Sequence, residues 1–424
     1  MSPSGTAPAR SGLPAWWRAL WPGVAALVAV MGVGRFVYTP ILPEMLADGA
    51  LTLPAAGWVA SANFLGYLAG AMAASAIRSR PAQGWLARAG LALTVATLAA
   101  MAVLDGVSAW MAVRFLAGAA SALALVFVSA QVIERLVALG QAERMVWMYA
   151  GVGGGIAGSA LLALVGQGLG WPWPAWWWAS AAFAGVFAVF AWRGAASVGV
   201  SEPSVGAGSA IPPVAASTAT ATATAPAPAQ SPAAAPTAAG QAASPRAFRA
   251  MVVAYGLFGL GYVIHATYLP AMVRASGAAP EAGSWIWVLV GVAALPATLL
   301  WMRIARRHGV RAAIVGCYAV QGLTALVPLA GNSLGGAAIA AIGLGGTFLP
   351  VTGLALPFAR AFDPARGARA IALMTVAFGV GQIVGPLAAA YLAADYGFGG
   401  PSVLACVVLL AAAALMRPRR DAPA

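Results

Sequence analysis

The sequence predicts an all-α membrane protein with twelve transmembrane helices in two pseudo-symmetric six-helix bundles, and three observations carry that expectation. Hydrophobic residues make up 62% of the 424 and charged residues only 8%, more apolar surface than a soluble domain could bury. Twelve apolar runs have the ~20-residue length of a bilayer-spanning helix. The chain also repeats itself. GVGRFVYTPILPEM at 32–45 and GLGYVIHATYLPAM at 259–272 share Gly32/Gly259, Gly34/Gly261, Leu42/Leu269, Pro43/Pro270 and Met45/Met272 at an offset of 227. Without a gap, the same offset pairs Trp58 with Trp285, Arg80 with Arg307, Gly118 with Gly345, Gly154 with Gly381, Ile156 with Ile383 and Gly158 with Gly385. Barrel strands would instead alternate polar and apolar residues over ~10 positions.

The first run, 19–43, follows Arg10 and Arg18 as a signal peptide would. It continues through Gly32 and Tyr38 without a small-residue cleavage site, so a retained helix is expected. Runs at 54–77 and 85–104 come next, then 108–133, which contains Arg114, 145–168, which contains GVGGGIAG, and 173–193. Residues 194–247 break the pattern. The stretch STATATATAPAPAQSPAAAPTAAGQAASP has almost no charge and frequent Pro, the composition of a disordered, partly polyproline-like linker. It divides an N-terminal bundle, 1–193, from a C-terminal bundle, 248–424. The second set of runs is 248–273, 282–302, 310–330, 334–358, 368–393 and 398–416. Cys317 and Cys406 sit in the ninth and twelfth as small hydrophobes, without metal-ligand or thiol-exchange spacing.

A formal charge of +13 would suggest a nucleic-acid partner in a soluble protein, so the placement of the charge decides. All twenty-three basic residues are Arg. With a cytoplasmic N-terminus, twenty of them fall in cytoplasmic segments, and only Arg274 lies in an opposite loop, beside Glu44, Asp48, Asp105, Glu281 and Asp395. The positive-inside rule therefore puts both termini and the linker in the cytoplasm. No nucleic acid is expected as a partner; the lipid bilayer is. The Lys-free, Ala-, Gly-, Pro- and Arg-rich composition points to a bacterial inner membrane.

Arg35 and Arg114 remain, inside spans. An intramembrane Arg costs ~2.5–3.5 kcal/mol on insertion scales and is tolerated where it faces protein or water. Gly32, Arg35, Tyr38 and Thr39 share one side of the first helix at helical spacing. Arg35 could serve a substrate, or only the carbonyls of a distorted neighbour. Arg114, about one and a half turns from the outer end of its helix, could equally serve transport or only snorkel or hold structure. On the second helix Asn63 and Tyr67 lie one turn apart, and on the seventh Tyr262 and His265 share a face with Tyr255. The repeat sets Tyr262 opposite Arg35 and His265 opposite Tyr38. Gln382, Thr375 and Tyr149 add polarity on the fifth and eleventh helices. The Gly runs at 151–158 and 343–347 lack the Gly-Lys-Ser/Thr ending of a phosphate loop and suit close helix packing. Neither a catalytic constellation nor a nucleotide motif is present in the sequence, so an enzyme and an ATP-driven pump are not expected, nor is a metal or cofactor.

GVGRFVYTPILP at 32–43, ANFLGYLAGA at 62–71, YGLFGLGYVIHATYLP at 255–270, GGTF at 345–348 and MTVAFGVGQIVGP at 374–386 make the chain resemble the major facilitator superfamily. Within it the likeness is to the YbfB/YjiJ-type branch. The resemblance implies alternating access around a central cavity lined by the first, fourth, seventh and tenth helices. Arg114-x-x-x-Gly118 is similar to the superfamily's R-x-x-Q-G element, with Ala117 in the Gln position. Two departures stand out. The loop after the second helix, IRSRPAQGWLAR, lacks the family's Asp, and its counterpart RIARRHGVR at 303–311 has Arg306 in the acidic position. The usual charge-relay latch is accordingly not expected. Gly379-x-Gly381-x-x-x-Gly385-Pro386 is similar to the antiporter motif, although that motif belongs in the first half, where Ser159 replaces the Pro.

The expected function is secondary active transport of a small organic anion or neutral metabolite. Arg35, Tyr38, Asn63, Tyr67, Arg114, Tyr262, His265 and Gln382 are the expected binding or cavity-lining residues. Coupling to protons, which would involve Glu44, Glu134 or His265, and coupling to a counter-substrate are both open. The alternatives are a multidrug-type efflux facilitator and a membrane sensor or scaffold that transports nothing.

Overall fold

The computed structural model describes residues 13–196, 245–330, 334–362 and 367–417, so most of the expected linker lies outside the described residues. Among these residues, twelve helices are long and apolar enough to cross a membrane: α1 (Ala15–Ala47), α2 (Leu53–Ala76), α3 (Arg80–Val103), α4 (Val107–Ala138), α5 (Ala142–Gly168), α6 (Trp173–Arg193), α7 (Arg246–Ala275), α8 (Ala282–His308), α9 (Val310–Leu329), α10 (Leu334–Arg360), α11 (Arg369–Tyr396) and α12 (Gly399–Met416). They match the twelve apolar runs, with α1, α3 and α5 starting three to five residues earlier. The start of α2 has a side-chain cap. Thr52 accepts a hydrogen bond from the Ala55 amide, and Pro54 follows in the first turn of α2, where a missing N–H costs nothing.

Within each half several helices approach closely where glycine removes the side chain. A Cβ on Gly118 of α4 would collide with the Asn63 carbonyl of α2, and one on Gly32 of α1 with the backbone of Gly155 on α5. Small residues of this kind let transmembrane helices gain packing energy where no hydrophobic drive exists between helix and lipid.

The halves meet along α5 against α8 and α2 against α11, a pair of contacts that the repeat exchanges. On the first of these seams a Cβ on Gly153 would stand 2.7 Å from the Gly291 carbonyl. The outer part of α1 also packs on α7, where the Thr39 hydroxyl donates to the Ala266 carbonyl at 2.6 Å. Those two residues are 227 apart, which is the repeat offset. Equivalent positions can touch only beside the pseudo-twofold axis, so this one bond locates that axis between α1 and α7. Ser61 Oγ donates to the Ile383 carbonyl (2.7 Å), and Arg274 pairs with Glu44 (3.2 Å). Gln167 Nε2 donates to the Pro280 carbonyl at 3.0 Å. These four inter-half contacts all lie toward the helix ends opposite the arginine-rich loops.

α1 departs from the expectation of one continuous helix. It runs as an α-helix over Ala15–Leu27, widens to a π-helical turn over Val28–Val33, passes through turns at 34–37 and resumes over Tyr38–Ala47. Prolines explain the break. Pro40 has no N–H to give the Phe36 carbonyl, which takes the Thr39 amide instead at 3.2 Å. The Arg35 carbonyl, which the Thr39 amide would otherwise have satisfied, is left without a helical donor.

Candidate functional site

That vacancy explains Arg114. Its Nη1 donates to the Gly34 carbonyl and its Nη2 to the Arg35 carbonyl, both at 3.0 Å. The guanidinium also stands 5.4 Å from the Tyr38 ring centre. Asn63 Nδ2 donates to the Arg114 carbonyl (3.0 Å), tying α2 to the same turn of α4. Arg114 is 2% exposed, so these bonds form away from water, where an unsatisfied carbonyl is costly. Arg114 and Asn63 clamp the broken segment that carries Arg35.

Arg35 itself points to the centre. It is 6% exposed, and its Nε and Nη2 have no hydrogen-bond partner. It hydrogen-bonds the Tyr67 side chain, with the guanidinium carbon 4.2 Å from the Tyr67 ring centre and 4.8 Å from that of Phe64. Such cation–π contacts offset part of the desolvation of the charge. Its charge also acts on Tyr262 of the other half. The two ion pairs among the described residues, Arg80–Glu134 and Arg274–Glu44, both lie at helix ends, and neither involves Arg35.

The C-terminal half supplies an aromatic wall. Tyr262 stacks on Phe348 (6.2 Å between ring centres, 4° between planes) and on Phe378 (5.7 Å, 2°). Tyr255 lies 4.8 Å from Phe378, and Phe36, next to Arg35, meets Phe348 edge-on at 5.9 Å. Gln382 Nε2 donates to the Tyr262 hydroxyl. Tyr149 on α5 lies near both Tyr67 and Tyr255, so side chains of the two halves meet around the same cluster.

The structure thus gathers Arg35, Tyr67, Tyr262 and Gln382 into one cluster. Tyr38 and His265, repeat equivalents, both turn into their own bundles. Tyr38 donates to the Ala56 carbonyl (3.1 Å) and packs on Trp177. His265 hydrogen-bonds the backbone of Ala325 at the end of α9, and its Nε2 has no partner. Of the acids considered as proton carriers, Glu134 is 56% exposed and paired with Arg80, and Glu44 is paired with Arg274. Sequence reasoning did not pick out Phe64, Phe348 and Phe378, although they stand within ANFLGYLAGA, GGTF and MTVAFGVGQIVGP, segments quoted for their family likeness.

Two halves of six spans in the same orientation, with a polar cluster enclosed where they meet, define a multi-pass membrane transporter rather than a soluble or single-span protein. Residues 27–204 and 207–417 match the family described as "Uncharacterised MFS-type transporter YbfB". The chain belongs to that family, within the major facilitator superfamily. No curated protein matches it significantly.

Proposed function

We propose that the protein moves a small organic anion, of the carboxylate type, across a bacterial inner membrane by alternating access, with Arg35 as the anion's principal partner. The observation that supports this reading is the state of Arg35: deeply buried, between the two halves, with two guanidinium nitrogens unpartnered and no ion pair. A guanidinium offers a carboxylate two parallel charge-assisted bonds, and in a low-dielectric chamber its charge repels cations. Tyr67, Tyr262 and Gln382 would orient the anion as neutral donors, and the rings of Phe64, Phe348 and Phe378 would enclose its apolar part. The aromatic wall alone would suit a lipophilic drug, but the uncompensated positive charge disfavours the cationic drugs that multidrug facilitators carry. In proteoliposomes, saturable flux of a short carboxylate is expected, with none of a lipophilic cation. Flux of cations only, or of nothing across a broad panel, would refute the reading.

Both termini and the segment between the halves are proposed to be cytoplasmic, on the strength of the arginine distribution. A reporter fused after Gly49 should report the outside, and one fused near Ala225 the inside. The reverse pair of signals would overturn this topology.

A further inference from the structure

A second basic site lies away from the transport path, at the arginine-rich end of the N-terminal half. The start of α1 and the end of α6 enclose a cleft of about 450 Å³, whose lining includes Leu13, Trp17, Arg18, Trp21, Phe190 and Arg193. Both arginines are exposed, and neither belongs to the two ion pairs found among the described residues. Two more guanidiniums at this end lie over tryptophans, Arg144 at 4.0 Å from the Trp16 ring centre and Arg88 at 5.9 Å from that of Trp192. Interleaved Trp and Arg at the end of a span mark the depth at which phospholipid headgroups sit.

We infer that this cleft binds the headgroup of an anionic phospholipid, with Arg18 and Arg193 gripping its phosphodiester. The volume lies within the range of small-ligand pockets, and paired guanidinium forks match phosphate oxygens geometrically. Leu13 (64% exposed) and Phe190 (48%) open on the cleft, and Val186, Val189 and Trp178 continue an exposed apolar ridge along α6. Acyl chains would lie on that ridge. A soluble phosphate would use the arginines but leave the ridge bare, which is why the occupant assigned here is a lipid. Basic clefts between transmembrane helices are a physically sound place for such headgroups.

Native mass spectrometry of the purified full-length protein with phosphatidylglycerol and with phosphatidylcholine tests the inference. Phosphatidylglycerol should remain bound while phosphatidylcholine does not, and the Arg18→Gln/Arg193→Gln pair should cut the bound fraction about fivefold or more. Arg303→Gln/Arg307→Gln, at the same end of the other half, should leave it unchanged. Equal retention by the Arg18/Arg193 variant, or equal binding of phosphatidylcholine, overturns the inference. Displacement by glycerol 3-phosphate as effective as by phosphatidylglycerol overturns the lipid assignment in favour of a free phosphate. Binding that appears only after removal of residues 2–11 overturns it in favour of the chain's own N-terminal segment. Should the double Gln variant fail to fold, Arg18→Lys and Arg193→Lys keep the charge and lose the fork. Reduced lipid retention in either supports the site, and wild-type retention in both overturns it.

Discussion

Arg35→Met is expected to abolish carboxylate flux, by about 100-fold or more, while leaving the melting temperature of the purified protein unchanged or slightly raised. The two effects come from one fact: Arg35 is buried with unpartnered Nε and Nη2 and forms no ion pair. An intramembrane arginine costs ~2.5–3.5 kcal/mol on insertion scales. The ring contacts with Tyr67 and Phe64 recover roughly 0.5–2 kcal/mol each, so the balance is small and Met, of similar length, should be neutral or stabilising. Arg35→Lys separates charge from shape. It keeps the cation but cannot bind a carboxylate through two parallel bonds, and flux should fall about tenfold or more with normal membrane levels. Wild-type flux in the Lys variant would end the proposal that this residue grips an anion. A marked fall in melting temperature for the Met variant would show instead that Arg35 holds structure.

Arg114 should behave in the opposite way. Arg114→Ala leaves the Gly34 and Arg35 carbonyls without their donors in surroundings where water cannot replace them. Hydrogen bonds to charged groups contribute about 1.5–3 kcal/mol each, so losing two should sharply reduce the amount of folded protein in the membrane. Arg114→Lys, with a single ammonium in place of the fork, should recover only part of it. The measurement is folded yield and melting temperature alongside flux per folded molecule. An Arg114→Ala protein that is as abundant and as heat-stable as the wild type would show that the clamp contributes little. The two arginines, which look alike as intramembrane charges in the sequence, are thereby separable by whether the variant loses turnover or loses the fold.

The spans and the repeat were legible because membrane insertion is written in composition and length. The internal offset even anticipates one contact, since Thr39 and Ala266 meet at the repeat distance. Arg35 stood out for the same reason: a charge in an apolar run needs an explanation. The break in α1 left a trace in Pro40 and Pro43, but its consequence did not. The donor that repairs it comes from Arg114, eighty positions away, and no local pattern links the two. The aromatic wall was illegible for a different reason. In a chain this apolar, Phe378 facing the chamber and Val380 facing outward at 49% exposure belong to the same hydrophobic run, so periodicity does not separate an inner face from a lipid face. Tyr38 and His265 show the same weakness, because matching repeat positions fixed their equivalence but not the direction in which they turn.

The Gly153–Gly291 contact gives the molecule a mechanical ratio. With backbone against backbone and no side chain between, α5 and α8 can roll on each other there as on a bearing. Gly291 lies nine residues from the start of α8 and seventeen from its end at His308, arms of about 14 Å and 26 Å at 1.5 Å per residue. A tilt of about 10° would therefore shift the arginine-rich end of α8 by about 4–5 Å and the opposite end by about half as much. The Arg274–Glu44 pair, 3.2 Å long, joins α1 to α7 at the same end of the molecule as the short arm, where the travel is the smaller of the two and comparable with the length of the pair, while the long arm carries the larger opening to the arginine-rich side.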